Sequence, residues 1–275
     1  MRQSAPLLLL VFAAACHSEH SNATAFSWSR DLPAGGTLRI RDLNGGITVV
    51  PSTNGRTVRV VAATHWRRGN PDRDLKFVAV SEDSDAIICA HWGTGTCSAT
   101  AYTNHRNAGF LAWLRRNGTD ARVDFTVEVP AGTRVDVSSV NGSVEVTAQS
   151  PVAARTVNGG IQVATAIGPV QATTVNGDVD VRMTTIGGPG DVRAESTNGD
   201  VSAYVPRDVD GTVSMRTVNG SLETWFPLTA EGTSKRRLQG VLGAGLRNVV
   251  LRTVNGGATF GALDAQGKIL NSTTP

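Results

Sequence analysis

One phrase occurs seven times along this chain, and it restricts the fold more than any other feature. It reads apolar-x-apolar-x-hydroxyl-Val-Asn-Gly-x-apolar-x-apolar, with small variations between copies. A unit repeated in this way is a structural module that stacks on its own copies. The seven asparagines that mark it are Asn44, Asn141, Asn158, Asn176, Asn198, Asn219 and Asn255.

Two geometries fit an Asn-Gly pair between strand-like segments. It can close an antiparallel hairpin through a type I′ turn, or it can form the corner of a β-solenoid whose copies stack in parallel. From Asn141 onward the asparagines are 17, 18, 22, 21 and 36 residues apart, and most of these spacings are typical of solenoid rungs. We therefore predict an all-β, single-domain β-solenoid; the alternative is an antiparallel meander or sandwich built from Asn-Gly hairpins.

Alignment of the copies on Asn separates the residues into rows. The positions six and four before Asn, and three and five after it, are mainly apolar and share one side of their strands. These rows predict a core that needs few aromatic residues, which make up only 5% of the chain. Ser or Thr stands two before Asn in six copies and Asp42 in the first, where short polar groups can bond the turn backbone. Stacking also predicts a column of Asn side chains bonded along the solenoid.

The N-terminus is typical of an export signal. A positive start precedes the apolar stretch from Leu7 to Ala15, which is the size of a signal-peptide core and too short to span a bilayer. Ala13-Ala14-Ala15-Cys16 resembles the bacterial lipobox, although its first position is usually Leu. We expect a signal peptide at 1–15, an acylated Cys16 and a flexible tether through residue 25, with plain secretion as the alternative.

The remaining chain divides into one domain and a short tail. We expect the solenoid over residues 26–265, interrupted by insertions at 98–120 and 228–246, and a C-terminal tail at 266–275. The formal net charge of +3 is too small and too dispersed to indicate nucleic-acid binding. The sequence does not determine an oligomeric state.

The three cysteines also indicate export. If Cys16 is acylated, Cys89 and Cys97 form an even pair in an oxidising compartment, and we expect a disulfide between them. Two free thiols are one alternative. A metal site with His91 is another, but a fourth ligand is not evident nearby, so we expect no metal and no cofactor.

The outward-facing rows carry the charge. The position three residues before Asn is Arg in four copies, namely Arg41, Arg155, Arg216 and Arg252. We interpret these four arginines as a ligand-binding strip. It would suit an anionic glycan, lipid headgroups or an acidic envelope protein. The competing interpretation is a solvated strand face whose charges prevent edge aggregation.

Catalysis has weak support in the sequence. Asp178, Asp180, Glu195 and Asp200, with Arg193 or Arg216, are the residues that a polysaccharide-cleaving β-helix would use, but none lies in a distinctive motif. Calcium bound between Asp178 and Asp200 is conceivable, although Asp after Asn-Gly is an ordinary turn residue. We expect no catalytic residues and no enzyme activity. A sugar-stacking platform is a further hypothesis, and its residues would be Trp66, Trp92, Trp113 and Trp225.

The repeat, the segment Phe125–Thr133 and the closing Leu-Arg-Thr-Val-Asn-Gly-Gly unit at 251–257 resemble a bacterial family of domains of unknown function. Its members are called "putative adhesins" and have right-handed β-helix-like folds. The resemblance covers roughly residues 26 to 262 and implies an exported, envelope-associated domain without established catalytic activity. We therefore expect a non-enzymatic envelope lipoprotein that binds or scaffolds other molecules, with a membrane anchor and a glycan or envelope protein as partner. An envelope-stress sensor and a carbohydrate-active β-helix are the alternatives.

Overall fold

Each repeat copy supplies one strand before its Asn-Gly and one strand after it, and the two strands enter different sheets. This arrangement is seen in a computed structural model, which describes residues 20–53, 55–93, 95–98, 102–103, 120–187 and 190–270. The regular secondary structure of the described chain is almost entirely β-strand, as the period-two patterns predicted. The strands lie in two large sheets and one small one.

We name the large sheets A and B. In spatial order, sheet A contains β1 (His20–Asp31), β4 (Thr57–Arg68), β9 (Asp120–Val129), β3 (Ile47–Pro51), β11 (Val144–Ala148), β13 (Ile161–Ile167), β15 (Val179–Gly187), β17 (Val201–Pro206), β23 (Ala258–Leu263) and β19 (Leu222–Thr224). Sheet B contains β20 (Thr229–Ser234), β21 (Arg237–Leu242), β18 (Gly211–Arg216), β22 (Asn248–Arg252), β16 (Val192–Glu195), β14 (Val170–Thr173), β12 (Val152–Arg155), β10 (Arg134–Ser138), β2 (Thr37–Arg41), β6 (Asp85–Trp92) and β5 (Leu75–Glu82). The small sheet pairs β7 (Thr96–Cys97) with β8 (Tyr102–Thr103), and the short helix α1 (Pro71–Asp74) follows its N-cap Asn70.

The repeats stack in parallel and in register, which confirms the solenoid and shows that the hairpin alternative is wrong. In sheet B, Val135 on β10 lies opposite Val152 on β12, the residue at the same repeat position. In sheet A, Val144 on β11 lies opposite Ile161 on β13. The asparagines themselves form parallel bridges from one copy to the next. Asn-Gly is therefore the corner at which the chain passes from sheet B to sheet A.

The side chains of six of the seven asparagines form a ladder along this corner. At each of its five steps a side-chain amide donates to the Oδ1 atom of a neighbouring asparagine. The pairs are Asn158 to Asn141 (2.7 Å), Asn176 to Asn158 (2.8 Å), Asn198 to Asn176 (2.8 Å), Asn255 to Asn198 (2.7 Å) and Asn219 to Asn255 (2.9 Å). At the other end Asn44 donates to the carbonyl of Ala121 on β9 (2.7 Å). An amide is suited to this role because it both donates and accepts.

The glycine of each pair is required by the closeness of the stack. A Cβ atom on Gly159 would overlap the carbonyl oxygen of Gly142, and one on Gly177 would overlap that of Gly159. The same overlap occurs at the other corners that carry an Asn-Gly neighbour. Only glycine lets the backbones of successive corners approach this closely.

The hydroxyl row satisfies the carbonyl groups of these glycines. Each hydroxyl donates to the Gly carbonyl of the adjacent rung. The pairs are Ser139–Gly45 (3.0 Å), Thr156–Gly142 (2.8 Å), Thr174–Gly159 (2.9 Å), Ser196–Gly177 (2.8 Å), Thr253–Gly199 (2.8 Å) and Thr217–Gly256 (2.8 Å). A buried carbonyl that would otherwise lack a partner is thus paired at each step.

Asp42 takes the hydroxyl position in the first repeat and is 1% exposed. Its neighbour on that side is β9, which has no Asn-Gly corner, and neither carboxyl oxygen has a well-formed hydrogen bond to a described residue. Burial raises the pKa of Asp42 to about 8; the amides of Leu43 and Asn44 oppose this rise and the charge of Asp124 adds to it. The group is therefore neutral at neutral pH.

The apolar rows fill the space between the sheets, with Val and Ala in most middle rungs. Aromatic rings lie mainly at the two ends of the stack. Phe77 packs against Phe26 (centroids 5.0 Å apart) and Phe125 (6.3 Å) at one end, and Phe226 stacks on Phe260 (4.7 Å) at the other. The small side chains of the middle rungs explain how a core forms with so few aromatic residues.

The rungs do not stack in chain order. The last repeat, β22 and β23, lies between the rung of Asn198 and the rung of Asn219. The predicted insertion at 228–246 contains the antiparallel hairpin β20–β21, which pairs with β18 and extends sheet B beyond the last rung.

Both ends of the described chain pair with strands of sheet A. The tether was expected to reach residue 25, but β1 begins at His20 and pairs with β4. The tail was expected from residue 266, but the chain turns back so that Ile269 bridges Leu263 and the Leu270 amide donates to Ala262. The signal peptide, Cys16, most of the insertion at 98–120 and residues 271–275 lie outside the described residues. No helix in the described ranges has the length and apolarity needed to cross a membrane.

We predict that Asn176→Ala destabilises the fold by about 1–2 kcal/mol, because it removes two exposed amide–amide hydrogen bonds from the middle of the ladder. Urea unfolding followed by circular dichroism measures this change. Gln162→Ala is the matched control, since it removes an exposed amide from sheet A outside the ladder and should cost less than about 0.5 kcal/mol. Equal losses for both variants would show that the ladder adds nothing.

We predict that stability falls as pH rises from about 4 to 8, by on the order of 1 kcal/mol per pH unit from Asp42. In this window the folded state keeps the Asp42 proton, whereas the unfolded chain has released it, so folding takes up a proton. Above about pH 8 both states are ionised and the contribution levels off. Asp42→Ser, which restores the hydroxyl of the other rungs, should remove this dependence and be more stable than the wild type at pH 8.5.

The measurement is the free energy of unfolding in urea at several pH values for both proteins. Asp124, together with His65 and Arg122 beside it, is present in both, so the difference between the curves reports Asp42. Parallel curves for the two proteins would contradict the assignment.

Candidate binding face

The outer face of sheet B carries the arginines that the sequence grouped into one strip. Inward and outward residues alternate along each strand, so the position three before Asn points away from the core. In spatial order this outward row contains Arg41, Ser138, Arg155, Thr173, Glu195, Arg252 and Arg216. The structure therefore places the four predicted arginines on one face, with Arg252 and Arg216 next to each other and Arg41 and Arg155 separated from them.

At one end of the row the arginines surround a carboxylate. Asp136 accepts Arg41 Nη2 at 2.7 Å and Arg155 Nη1 at 3.3 Å, and Arg39 Nε lies 3.9 Å away. The Arg41 side chain is only 13% exposed, because it lies along the sheet towards Asp136. Arg41 therefore serves chiefly as a structural cation, and Arg155 shares that carboxylate.

At the other end of the row, carboxylates neutralise less of the positive charge of the arginines. Glu195 pairs with Arg193 at 2.8 Å, which leaves Arg252 as a more distant partner at 3.7 Å. Arg216 forms no ion pair with any residue that the structure describes. Arg237 on β21 lies opposite Arg216 and continues the row. Sequence alignment missed Arg237 because it belongs to the hairpin β20–β21 and not to a repeat.

The altered order of the rungs produces this arrangement. Stacking in chain order would place Arg216 beside Glu195, but the inserted last repeat places Arg252 there and Arg216 one strand further away. The run of consecutive outward positions is thus Glu195, Arg252, Arg216 and Arg237.

The carboxylates that were considered for catalysis or calcium do not converge. Asp178 accepts the Asp200 amide at 2.8 Å, and Asp200 accepts the Gly257 amide at 2.7 Å, so each caps the backbone of the next rung. Asp180 pairs with Arg182 at 2.8 Å on sheet A, whereas Glu195 lies on sheet B. Within the described ranges, no group of three or more His, Cys, Asp or Glu side chains is placed to hold a metal.

Cys89 and Cys97 form a disulfide, with Cα atoms 6.1 Å apart. It ties the β7–β8 strands to β6, and the Tyr102 hydroxyl donates to the Ala90 carbonyl at 2.7 Å beside it. Since both sulfurs are paired, the alternatives of free thiols and of a metal site with His91 are wrong for this structure. His91 is 6% exposed; burial lowers its pKa, and Lys76 adds to the effect.

The three described tryptophans of the predicted platform, Trp66, Trp92 and Trp225, do not lie together. Trp92 is buried in β6 and Trp66 packs partly against the core from β4, near one end of the stack. Trp225 lies at the other end, where its ring contacts Tyr204 and its indole N–H donates to Glu223 at 2.9 Å. Trp113 lies outside the described residues.

Comparison with known proteins gives a match to one family model and distant matches to solved structures. Residues 120–259 match the model of the family described as Toastrack DUF4097. A "putative cell adhesion protein" from Clostridium sporogenes is 9% identical, with a TM-score of 0.45, and the match covers 86% of this chain and 99% of that one. A "putative adhesin" from Bacteroides fragilis is 10% identical, with a TM-score of 0.40, over 89% and 98% of the two chains. No curated protein matches the chain.

We predict that Asp200→Ala lowers the stability by about 1 kcal/mol, because the Gly257 amide loses its carboxylate acceptor at an exposed corner. Chelation by EDTA should leave the melting temperature of the wild type unchanged. Differential scanning calorimetry with and without EDTA and added calcium tests both statements. A calcium-dependent rise in the melting temperature that Asp200→Ala abolishes would show a metal site instead.

Proposed function

We propose that this chain, which belongs to the Toastrack DUF4097 family, is a non-enzymatic binding or scaffolding module of the bacterial cell envelope. The observation that carries the proposal is how the repeat uses its residues. The inward rows pack the core, the hydroxyl row pairs with glycine carbonyls and the asparagines pair with one another. Recognition of other molecules then falls to the outer rows on two extended sheet faces, which suit a large ligand better than a small substrate.

The location in the envelope is supported by the N-terminal sequence and by the cysteines. The apolar stretch before Cys16 has the size of a signal-peptide core, and a disulfide between Cys89 and Cys97 suits an oxidising compartment. In this proposal Cys16 is acylated and holds the solenoid at a membrane. Stable anchoring requires more than one acyl chain, as bacterial lipoproteins carry.

The anchor is tested by expression of the full-length chain in a bacterial host with a fatty-acid label. We expect the mature chain to begin at Cys16, to carry label and to remain in the membrane fraction after a high-salt wash. Cys16→Ser should lose the label and change its fractionation. The control is the double variant Cys89→Ser/Cys97→Ser, which should keep the label because its lipobox is intact. An unlabelled wild-type chain, or unchanged fractionation of Cys16→Ser, would exclude the lipoprotein.

The binding role is tested separately. The mature chain, purified in a non-ionic detergent, should bind isolated envelope fragments of its host saturably, and binding should weaken as salt increases because exposed charges are screened. Failure to bind across the salt series would exclude a binding role and leave only a structural one.

A further inference from the structure

Three arginines occupy directly opposed positions on adjacent strands at the hairpin end of sheet B. Arg216 on β18 is the register partner of both Arg252 on β22 and Arg237 on β21. All three side chains are exposed. Neighbouring strands are about 4.8 Å apart, so the three form a short straight line across the sheet, which we call the cationic row.

The cationic row does not stabilise the fold by its own charges. Like charges directly opposite each other on adjacent strands are unfavourable. Glu195 is 3.7 Å from Arg252 and already pairs with Arg193 at 2.8 Å. Lys235 and Arg236, in the turn between β20 and β21, add two more cations, and the Arg236 carbonyl is held by the Thr217 amide beside the row.

The other end of the same face provides an internal comparison. There Arg39, Arg41 and Arg155 lie around Asp136, and Arg39 also pairs with Asp85 at 2.8 Å, so each arginine has a carboxylate partner. A face that only needed charged residues to prevent aggregation could have the same pairing throughout. The local excess of arginine therefore indicates an external anion.

The residues beside the cationic row are polar and apolar: Val218 and Val254, two positions after Arg216 and Arg252, are exposed. The next outward position on the same three strands, away from the corner, has Ser214 on β18 between Val250 on β22 and Gln239 on β21. A hydroxyl and an amide can hydrogen-bond sugar hydroxyl groups next to the arginines. Val218 and Val254 are short side chains, whereas segments that insert into a membrane surface carry larger ones such as Trp, Phe and Leu.

The weakness of exposed ion pairs decides the class of ligand. One exposed arginine–carboxylate pair contributes little, so useful affinity requires several anionic groups on one molecule. Arginine binds carboxylate through two parallel hydrogen bonds, and the spacing of the row is close to that of successive sugars in an extended chain. We infer that the cationic row binds an acidic polysaccharide with a carboxylate on each sugar. This inference rests on the proposed binding function and names its ligand class.

The test is binding of the mature chain, purified in a non-ionic detergent, to polygalacturonate at low salt. We expect saturable binding that neutral dextran does not reproduce. Arg216→Gln and Arg237→Gln should each weaken it about two- to five-fold, and the double variant roughly ten-fold. Arg182→Gln is the matched control, because it removes one exposed arginine from sheet A, where Arg182 pairs with Asp180. It should leave the affinity unchanged, and melting temperatures should confirm that every variant is folded.

The result that overturns the inference is equal weakening by Arg182→Gln and Arg216→Gln, since binding would then follow net charge. A second is binding to anionic phosphatidylglycerol vesicles through the cationic row without binding to polygalacturonate, which would identify a membrane surface. Envelope fragments separate this inference from the proposed function. If Arg216→Gln/Arg237→Gln binds the fragments as well as the wild type does, the inference fails while the binding role remains; if the wild type does not bind them, the binding role itself fails.

Discussion

The close parallel stacking of the Asn-Gly corners is the constraint on which the rest of the structure depends. Because each corner touches the next, a Cβ on the glycine would overlap the neighbouring carbonyl oxygen. That carbonyl then needs a donor from the same side, and the hydroxyl two residues before Asn supplies it. The asparagine beside it bonds its own copy above and below. Three of four consecutive sequence positions are thus explained by one contact distance, and together they fix the register of both sheets.

Much of this could be predicted from the sequence, since stacking in register makes residue type repeat along each row. The solenoid, the inward apolar rows and the Asn column follow from alignment of the copies. The position of the last repeat in the stack does not follow from this alignment. Val249 lies opposite Val192, but every other copy has an apolar residue at the same repeat position and would fit there equally well. Periodicity determines which residues lie in a row, but it cannot order identical rungs. The hairpin that brings Arg237 beside Arg216 is a long-range pairing of the same kind.

Asp42 marks the place where the repeat meets a different kind of structure. On one side of its rung lies β10 with its repeat neighbours, and on the other lies β9, which pairs with the antiparallel strands β4 and β1. In the other rungs the hydroxyl donates to the glycine carbonyl of the adjacent corner. At this boundary the backbone of Val123 lies where that adjacent corner would be. The Asp42 carboxyl group is buried there without a well-formed hydrogen bond to a described residue. The raised pKa of Asp42 is therefore a consequence of its burial at the end of the repeat.

Protection of a sheet edge explains only part of the positive charge at the hairpin end of sheet B. An open sheet edge exposes unpaired amides and carbonyls and invites association with other chains. The hairpin β20–β21 covers the β18 edge, and the turn between its strands carries Lys235 and Arg236. Charged residues at such an edge are explained by the need to prevent association with other chains. Arg216 and Arg252 differ, because they lie within the sheet on paired strands where no edge needs protection. Their alignment with Arg237 therefore needs an explanation beyond edge protection, and a repeating anionic ligand provides one.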